Sequence, residues 1–274
     1  MMKTKEMILI SEENYKKMGV EILSVFDNFC RTNNIPYILG YGTLLGAIRH
    51  NGYIPWDDDI DLFVFAEDCL KIAKTYTQTG DYKYHNCLYS KTYFLPFDKF
   101  SDERTIKVEN CNIKMNQQIG FNIDIFPIYC FENKEIAEKC FKSLRFLRKR
   151  FRIKIANTNG MPIIKKIIFK TLQLFEPCNI NLLSRKIIKK IEKMSCNSST
   201  PNAVATIISD IYSDSLVLLD INFIKNRITH TFENNIFNIP KDYNALLTIL
   251  YGNYLTPPPL KERVTHHGFL VYIK

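Results

Sequence analysis

No apolar run in the 274 residues approaches the roughly 18–20 that would span a bilayer, so no transmembrane helix is expected. No C-x-x-C pair occurs among the eight cysteines, Cys30, Cys69, Cys87, Cys111, Cys130, Cys140, Cys178 and Cys196. That scatter disfavours zinc ribbons and a disulfide framework, and leaves reduced, mostly buried thiols as the expectation. The run Met7-Ile8-Leu9-Ile10 is too short for the apolar part of a secretory signal and passes straight into Ser11-Glu12-Glu13, which predicts a cytoplasmic protein. Internal repeats and low-complexity tracts are missing. Neither zinc-finger spacing nor a ribonucleoprotein-type aromatic motif accompanies the basic residues, which argues against a nucleic-acid partner.

Apolar residues make up 46% and aromatic residues 13% of the chain, enough for a sizeable core and too many for wholesale disorder. The length predicts one large α/β unit or one domain with an extension. The net charge of +9 is unevenly placed. From Lys134 to Lys193 there are 17 Lys and Arg against 4 Glu, an excess of 13 that leaves the remainder at −4. A basic segment on a slightly acidic body points to an anionic partner or to a solvated helix face. Within it, Ile164, Ile167, Ile168, Thr171, Leu172 and Phe175 form one helical stripe, with Lys165 and Lys166 off the stripe and Lys170 beyond its edge. Two readings fit: a helix lying in the plane of anionic lipid headgroups, or a helix packed on the protein's own core.

Periodicity predicts a helix over 12–33 entered through Ser11, a strand at 37–41, and a helical turn opened by Gly42-Thr43. A strand over 60–65 and a helix over 67–78 follow, then strands near 82–89, 93–100, 104–109 and 119–126. Three consecutive helices begin at Lys134, broken at Gly160-Met161-Pro162 and Glu176-Pro177. Residues 197–230 give no clear pattern, and 240–254 resembles a short helix. The fold class is therefore α/β in the N-terminal half, with helices inserted later.

The sharpest feature is Trp56-Asp57-Asp58-Asp59-Ile60-Asp61-Leu62-Phe63-Val64. Four carboxylates in five residues repel one another, and placing them at the mouth of an apolar strand is costly unless something positive sits there. Strand alternation puts Asp59 and Asp61 on one face while Ile60, Leu62 and Val64 point to the core. Two such carboxylates can ligate Mg²⁺, with phosphate oxygens and water completing the shell. An EF-hand is excluded, because the required Gly and Glu are replaced by Leu62 and Asp68. Upstream, the strand–Gly42-Thr43–helix turn offers backbone N–H groups to phosphate. Downstream, Asp124 is alone in the apolar strand Phe121-Asn122-Ile123-Asp124-Ile125-Phe126, so it needs either a shared metal or a Lys or Arg partner.

Tyr41-Gly42-Thr43-Leu44-Leu45-Gly46-Ala47-Ile48-Arg49-His50 and Gly52-Tyr53-Ile54-Pro55-Trp56-Asp57-Asp58-Asp59-Ile60-Asp61 closely resemble the signature of the LicD family, an offshoot of the polymerase β-like nucleotidyltransferase fold. The resemblance continues through Lys99, Thr105 and Ile123-Asp124-Ile125-Phe126-Pro127. It closes on Ile239-Pro240, Tyr243, Leu247, Tyr251-Gly252-Asn253-Tyr254, Pro258, Arg263 and His267. Asn253 departs from the Asp more common there, and no chemistry is assigned to it.

The resemblance implies a mixed-sheet nucleotidyltransferase-like core over 1–131, a basic helical insertion over 132–197 that meets membrane or acceptor, and a C-terminal part over 198–274 that completes the site. It implies metal-dependent transfer of phosphocholine from CDP-choline to a sugar hydroxyl of a lipid-linked glycan, such as a lipopolysaccharide or teichoic acid precursor, with release of CMP. Transfer of phosphoethanolamine, glycerol phosphate or ribitol phosphate, or nucleotidyl transfer, are the alternatives; a non-catalytic glycan- or membrane-binding module is the least favoured. Asp59, Asp61 and Asp124 are assigned as ligands of Mg²⁺, two ions with Mn²⁺ as substitute, and Asp124 doubles as candidate base. Gly42, Thr43, Arg49 and Lys99 are assigned to phosphate, with Trp56 and His267 as further substrate contacts. The work would then be done at the inner face of the membrane, on the cytoplasmic side.

Overall fold

The computed structural model describes residues 7–76, 80–109, 119–156, 158–176, 178–208, 215–264 and 268–274. The strands are β1 (Ile8–Leu9), β2 (Tyr37–Leu39), β3 (Asp61–Phe65), β4 (Tyr82–His85), β5 (Asp98–Asp102), β6 (Thr105–Glu109), β7 (Phe121–Phe131), β8 (Val204–Thr206), β9 (Leu218–Asp220), β10 (Arg227–Phe232), β11 (Asn235–Pro240) and β12 (Phe269–Ile273). The helices are α1 (Glu12–Thr32), α2 (Tyr41–His50), α3 (Ala66–Thr75), α4 (Lys134–Ile155), α5 (Ile163–Phe175), α6 (Ile180–Glu192), α7 (Asn222–Lys225) and α8 (Tyr243–Tyr251).

The central sheet is mixed and runs β2-β3-β7-β5-β4, with β8 and β9 added beyond. Its spine is β7, parallel to β3 and antiparallel to β5. One core packs α1, α2 and α8 on this sheet; Leu23, Phe26, Leu44, Phe63, Ile123 and Leu246 are all buried in it. A second core joins the far end of β7 to α4 and α6 through Phe131, Leu144, Phe151, Leu183 and Ile187. A smaller sheet, β1-β12-β6, ties the N- and C-terminal segments together. Seven described cysteines are free thiols, five of them buried; Cys111 lies outside the described residues. No helix among the described residues is long and apolar enough to cross a membrane.

Several elements differ from the sequence expectation. The strand expected over 93–100 begins only at Asp98, because Pro96 cannot donate to a ladder; Tyr93, Phe94, Leu95 and Phe97 instead fill the second core. The strand expected over 82–89 ends at His85, where the Asn86 side chain accepts from the Leu88 amide at 2.9 Å and turns the chain. β7 runs past its expected end at Phe126 and through Pro127. Pro127 falls between the partners on one edge, since β5 pairs only up to Ile125 and β8 starts at Tyr129. The described residues of 197–230, unreadable by pattern, hold β8, β9, α7 and the start of β10. Ser11 does occupy the N-cap of α1, but its side chain makes no capping bond.

A β-hairpin braces the loop that leads to the acidic strand. β10 and β11 are joined by Glu233 and Asn234, both at positive φ (50° and 61°), the type I′ geometry that matches strand twist. The Glu233 carboxylate accepts from the Tyr53 amide at 3.0 Å, and the Glu233 amide donates to Asn51 O at 2.9 Å. The same loop presses on α2 at Gly46, where a Cβ would lie 2.4 Å from Gly52 O and 3.2 Å from Ile54 N. Both obstacles are backbone. Gly46→Ala is therefore expected to cost about 1–3 kcal/mol by overpacking, read as a lower urea midpoint at unchanged m-value.

Candidate active site

Three neighbouring strands bring the chemistry-bearing residues into one row. In β3 and β7, Asp61 is the register partner of Asp124; in β5 and β7, Lys99 is the register partner of Asp124. Asp61, Asp124 and Lys99 therefore lie side by side across the sheet. Lys99 is buried, and its Nζ reaches Asp124 Oδ1 at 2.6 Å. The Asn122 amide donates to the same oxygen at 2.7 Å. Asp124 thus has a cationic partner within the sheet, one of the two partners its sequence setting called for. Lys99, assigned to phosphate by the resemblance, is buried and engaged in this pair with Asp124.

Below this row the sheet is aromatic. The Tyr41 ring meets Phe63 at 4.8 Å and Phe126 at 5.1 Å, both edge-on, and Phe97 stacks on Phe126 at 4.9 Å. Charges at the edge of such a floor are poorly solvated. Burial, followed by the charges of Asp59, Asp124 and Asp57, pushes the Asp61 carboxyl well above the usual carboxylate range, with Lys99 pulling against them. One face of Asp61 still opens on a cleft.

That cleft has a volume of about 450 Å³ and is open to solvent. Asp57, Asp59 and Asp61 line one side, with Tyr41 and Gly42 at the start of α2. The opposite wall comes from the C-terminal part of the chain: Tyr251, Asn253, Tyr254, Thr256 and Pro258. The three carboxylates that converge are Asp57, Asp58 and Asp59, one oxygen of each lying within 4.8 Å of the others. Asp61 and Asp124 stand beside that cluster, as an in-register pair. The sequence pointed to Asp59, Asp61 and Asp124 as one set; Asp59 and Asp61 line the cleft together with Asp57, Asp124 is not among its lining residues, and Asp58 is buried.

The start of α2 is shaped around these acids. Tyr41 has φ of +35°, a left-handed conformation rare outside glycine and held here by its two ring contacts. A Cβ on Gly42 would lie 2.4 Å from Asp57 Oδ2, so only glycine lets that carboxylate approach the helix start. Thr43 is buried, and its Oγ1 accepts from the Asp61 amide at 2.8 Å, fixing where β3 begins. Its hydroxyl proton can still donate.

Arg49, in the last turn of α2, supplies the positive side. Its Nη1 donates to Tyr254 O at 3.0 Å, while its enclosed Nε has no acceptor among the described residues. Burial first, and then the neighbouring Arg263 charge, lower its pKa; no carboxylate among the described residues forms an ion pair with it. Arg263, donating through Nε to Pro258 O at 2.8 Å, lays its guanidinium over the Trp56 ring at 5.3 Å. One face of Trp56 is thus already occupied by a protein cation, and the ring ties the acidic loop to the C-terminal wall. Thr105 is structural: buried, it donates to Asp102 O and accepts from the Phe121 amide, both at 2.7 Å. Asn253 lines the cleft and donates to Thr256 Oγ1 at 3.0 Å. His267 lies outside the described residues. Arg263 was visible in the sequence only as part of the closing pattern; nothing local marked it as a neighbour of Trp56 and Arg49.

Residues 34–179 match the family model described as LicD/FKTN/FKRP, nucleotidyltransferase domain, a span that includes every acidic residue of the site. The chain is similar, at 23% identity over 261 residues, to the lipopolysaccharide cholinephosphotransferase LicD of Haemophilus influenzae, covering 93% of this chain and 95% of that one. Shorter stretches resemble two uncharacterized rickettsial proteins. One, from Rickettsia prowazekii, is 38% identical over 80 residues (26% of this chain, 30% of the relative). The other, from Rickettsia typhi, is 45% identical over 60 residues (21% of this chain, 19% of the relative).

Proposed function

The chain belongs to the LicD family, and from that premise we propose that it transfers phosphocholine from CDP-choline to a sugar hydroxyl of a lipid-linked cell-surface glycan, a lipopolysaccharide precursor in the first instance, releasing CMP at the cytoplasmic face of the membrane. The observation that carries this reading is the cleft itself. Carboxylates of Asp57, Asp59 and Asp61, the N-terminus of α2 beside them and the Arg49 guanidinium all border one space large enough for a nucleotide diphosphate. A full-length match to a cholinephosphotransferase supports choline as the alcohol.

The donor set suits a hard divalent cation. Asp57, Asp59 and Asp61, carboxylates lining one cleft, are oxygen ligands of the kind Mg²⁺ prefers, and burial together with the neighbouring acids raises the Asp61 carboxyl. Asp59 and Asp61 would hold the metal, joined by Asp57, with Asp124 as a further ligand or base; Mn²⁺ would serve in its place. When bound, the metal would neutralise charge on the diphosphate and on the departing CMP.

The chain's own groups do the rest. Arg49 and the amides at Gly42 and Thr43 hold phosphate oxygens by charge-assisted hydrogen bonds. Lys99 keeps Asp124 in place, so that the row of acids presents one fixed geometry to the attacking hydroxyl. The hydroxyl proton passes to a carboxylate of this row as the oxygen–phosphorus bond forms and the phosphorus–oxygen bond to CMP breaks. The C-terminal wall, residues 251–258, closes the cleft opposite the acids and is the part best placed to contact the acceptor.

The test is a thermal-shift screen over CDP-choline, CDP-ethanolamine, CDP-glycerol and CDP-ribitol with Mg²⁺, followed by product analysis. CDP-choline should raise Tm most, by mass action, and incubation with acceptor should yield CMP. Pyrophosphate as product would indicate nucleotidyl transfer instead. A larger shift with another CDP-alcohol would replace choline while keeping the reaction.

A further inference from the structure

Helix α5 is turned the wrong way round for a helix of a water-soluble protein. None of its residues is buried. Its least exposed positions are Lys166, Phe169 and Gln173, so its inward edge is largely polar. That edge is fastened down: Gln173 Nε2 donates to Ile153 O at 2.9 Å and to Ala156 O at 2.8 Å at the end of α4. Lys154 Nζ donates to Glu176 O at 3.1 Å, and Arg150 forms a two-pronged ion pair with the Glu176 carboxylate. At 100° per residue, Gln173 lies half a turn from Ile164, so the bonds that seat the helix point its apolar stripe outward. Ile164 is 73% exposed, Ile167 61%, Ile168 51% and Phe175 76%. An amphipathic helix of a soluble domain buries this face; the expectation that α5 packs its stripe on the protein's own core is overturned.

The surrounding charge selects what covers the stripe. Lys165 and Lys170, both exposed, flank it on either side, and the whole stretch from Lys134 to Lys193 carries an excess of 13 positive charges. A second copy seated face to face would bring the same positive field against this one. A nucleic acid offers no apolar phase for four large side chains. An anionic leaflet supplies both: acyl chains for the stripe, phosphates for the lysines.

We propose that α5 is an in-plane membrane-docking helix, its Ile164–Ile167–Ile168–Phe175 face entering the headgroup–acyl boundary of an anionic leaflet with Lys165 and Lys170 on lipid phosphates. This rests on the helix alone, independently of the transfer chemistry.

The test is co-sedimentation of the full chain, without nucleotide, with phosphatidylcholine vesicles and with vesicles carrying roughly 30% phosphatidylglycerol. Binding is expected to the anionic vesicles, falling by about tenfold between low and high salt. Ile164→Glu/Ile168→Glu should lose about tenfold or more, and Lys165→Glu/Lys170→Glu about fivefold per lysine. These side chains are exposed, so circular-dichroism melting should not change. Absence of binding at low salt, or unaltered binding by the isoleucine variant, overturns the proposal. So does light scattering that shows a dimer which the isoleucine variant dissolves while vesicles bind neither protein. CMP release from soluble acceptor analogues is a separate readout, so failure of either reading leaves the other standing.

Discussion

Asp61→Asn is expected to lower CMP release by about 10²- to 10³-fold while raising the Tm of the metal-free protein. The two effects have one cause. In the wild type, burial and the charges of Asp59, Asp124 and Asp57 all disfavour the ionised Asp61 carboxylate. The sign of the pH dependence follows. A carboxyl whose folded pKa stands above its ordinary 3.8 binds more protons folded than unfolded. Its contribution to stability is therefore fully present below pH 3.8 and is lost as pH rises through the elevated value. Without metal, the wild type should lose stability along that rise, and the amide, which cannot ionise, should flatten the slope. Millimolar Mg²⁺ should reverse the order by binding the wild-type acids and gaining little from the variant. The backbone is spared, because Thr43 Oγ1 holds the residue-61 amide rather than its side chain. Calorimetry at several pH values, with and without Mg²⁺, checks this. Turnover of the wild type in excess chelator, or a variant with normal kcat, would remove Asp61 and the metal from the mechanism.

What could be read from the sequence was whatever short-range repulsion and alternation write down. Asp57 to Asp61 announce themselves because four acids at the head of an apolar strand need a reason, and Asp124 because an acid alone among Ile and Phe needs a partner. The identity of that partner was not legible. Lys99 meets Asp124 only because β5 pairs with β7 in one particular register, and a one-residue slip would have turned the lysine to the other face. The opposite wall of the cleft was hidden for the same reason. Tyr254 O reaches Arg49 across 205 positions of sequence, and no local pattern encodes that contact. Trp56 could be assigned as a substrate contact, but that Arg263 lies over its ring was not legible either. The hairpin at 227–240 lacked an Asn-Gly signal, its turn being Glu233-Asn234, so its strands passed unnoticed. With α5 the periodicity identified the helix and its stripe correctly. The side it presents was set by Gln173 and Glu176, polar residues whose pairing with α4 the pattern could not foresee.

Lys99→Met is expected to be the most destabilising single change in the site, and its rescue tells a structural pair from a catalytic one. Lys99 and Asp124 approach to 2.6 Å with side chains only 5% and 19% exposed. Forming such a pair gains little net stability, since desolvation offsets the attraction; removing one partner leaves the other charge enclosed and costs about 3 kcal/mol. The methionine fills most of the vacated volume, so that cost is charge rather than cavity. Asp124 would keep only the Asn122 amide on its Oδ1, with Asp61 as its register partner on the next strand. Adding Asp124→Asn should therefore restore most of the lost stability, giving a double-mutant coupling of the order of 2 kcal/mol by urea denaturation. Activity should not follow stability. If Asp124 serves as ligand or base, the stable double variant stays inactive and loses its Mg²⁺-dependent rise in Tm. A double variant that is both stable and active would leave Asp124 as ballast for Lys99, and the chemistry would fall to Asp57, Asp59 and Asp61 alone.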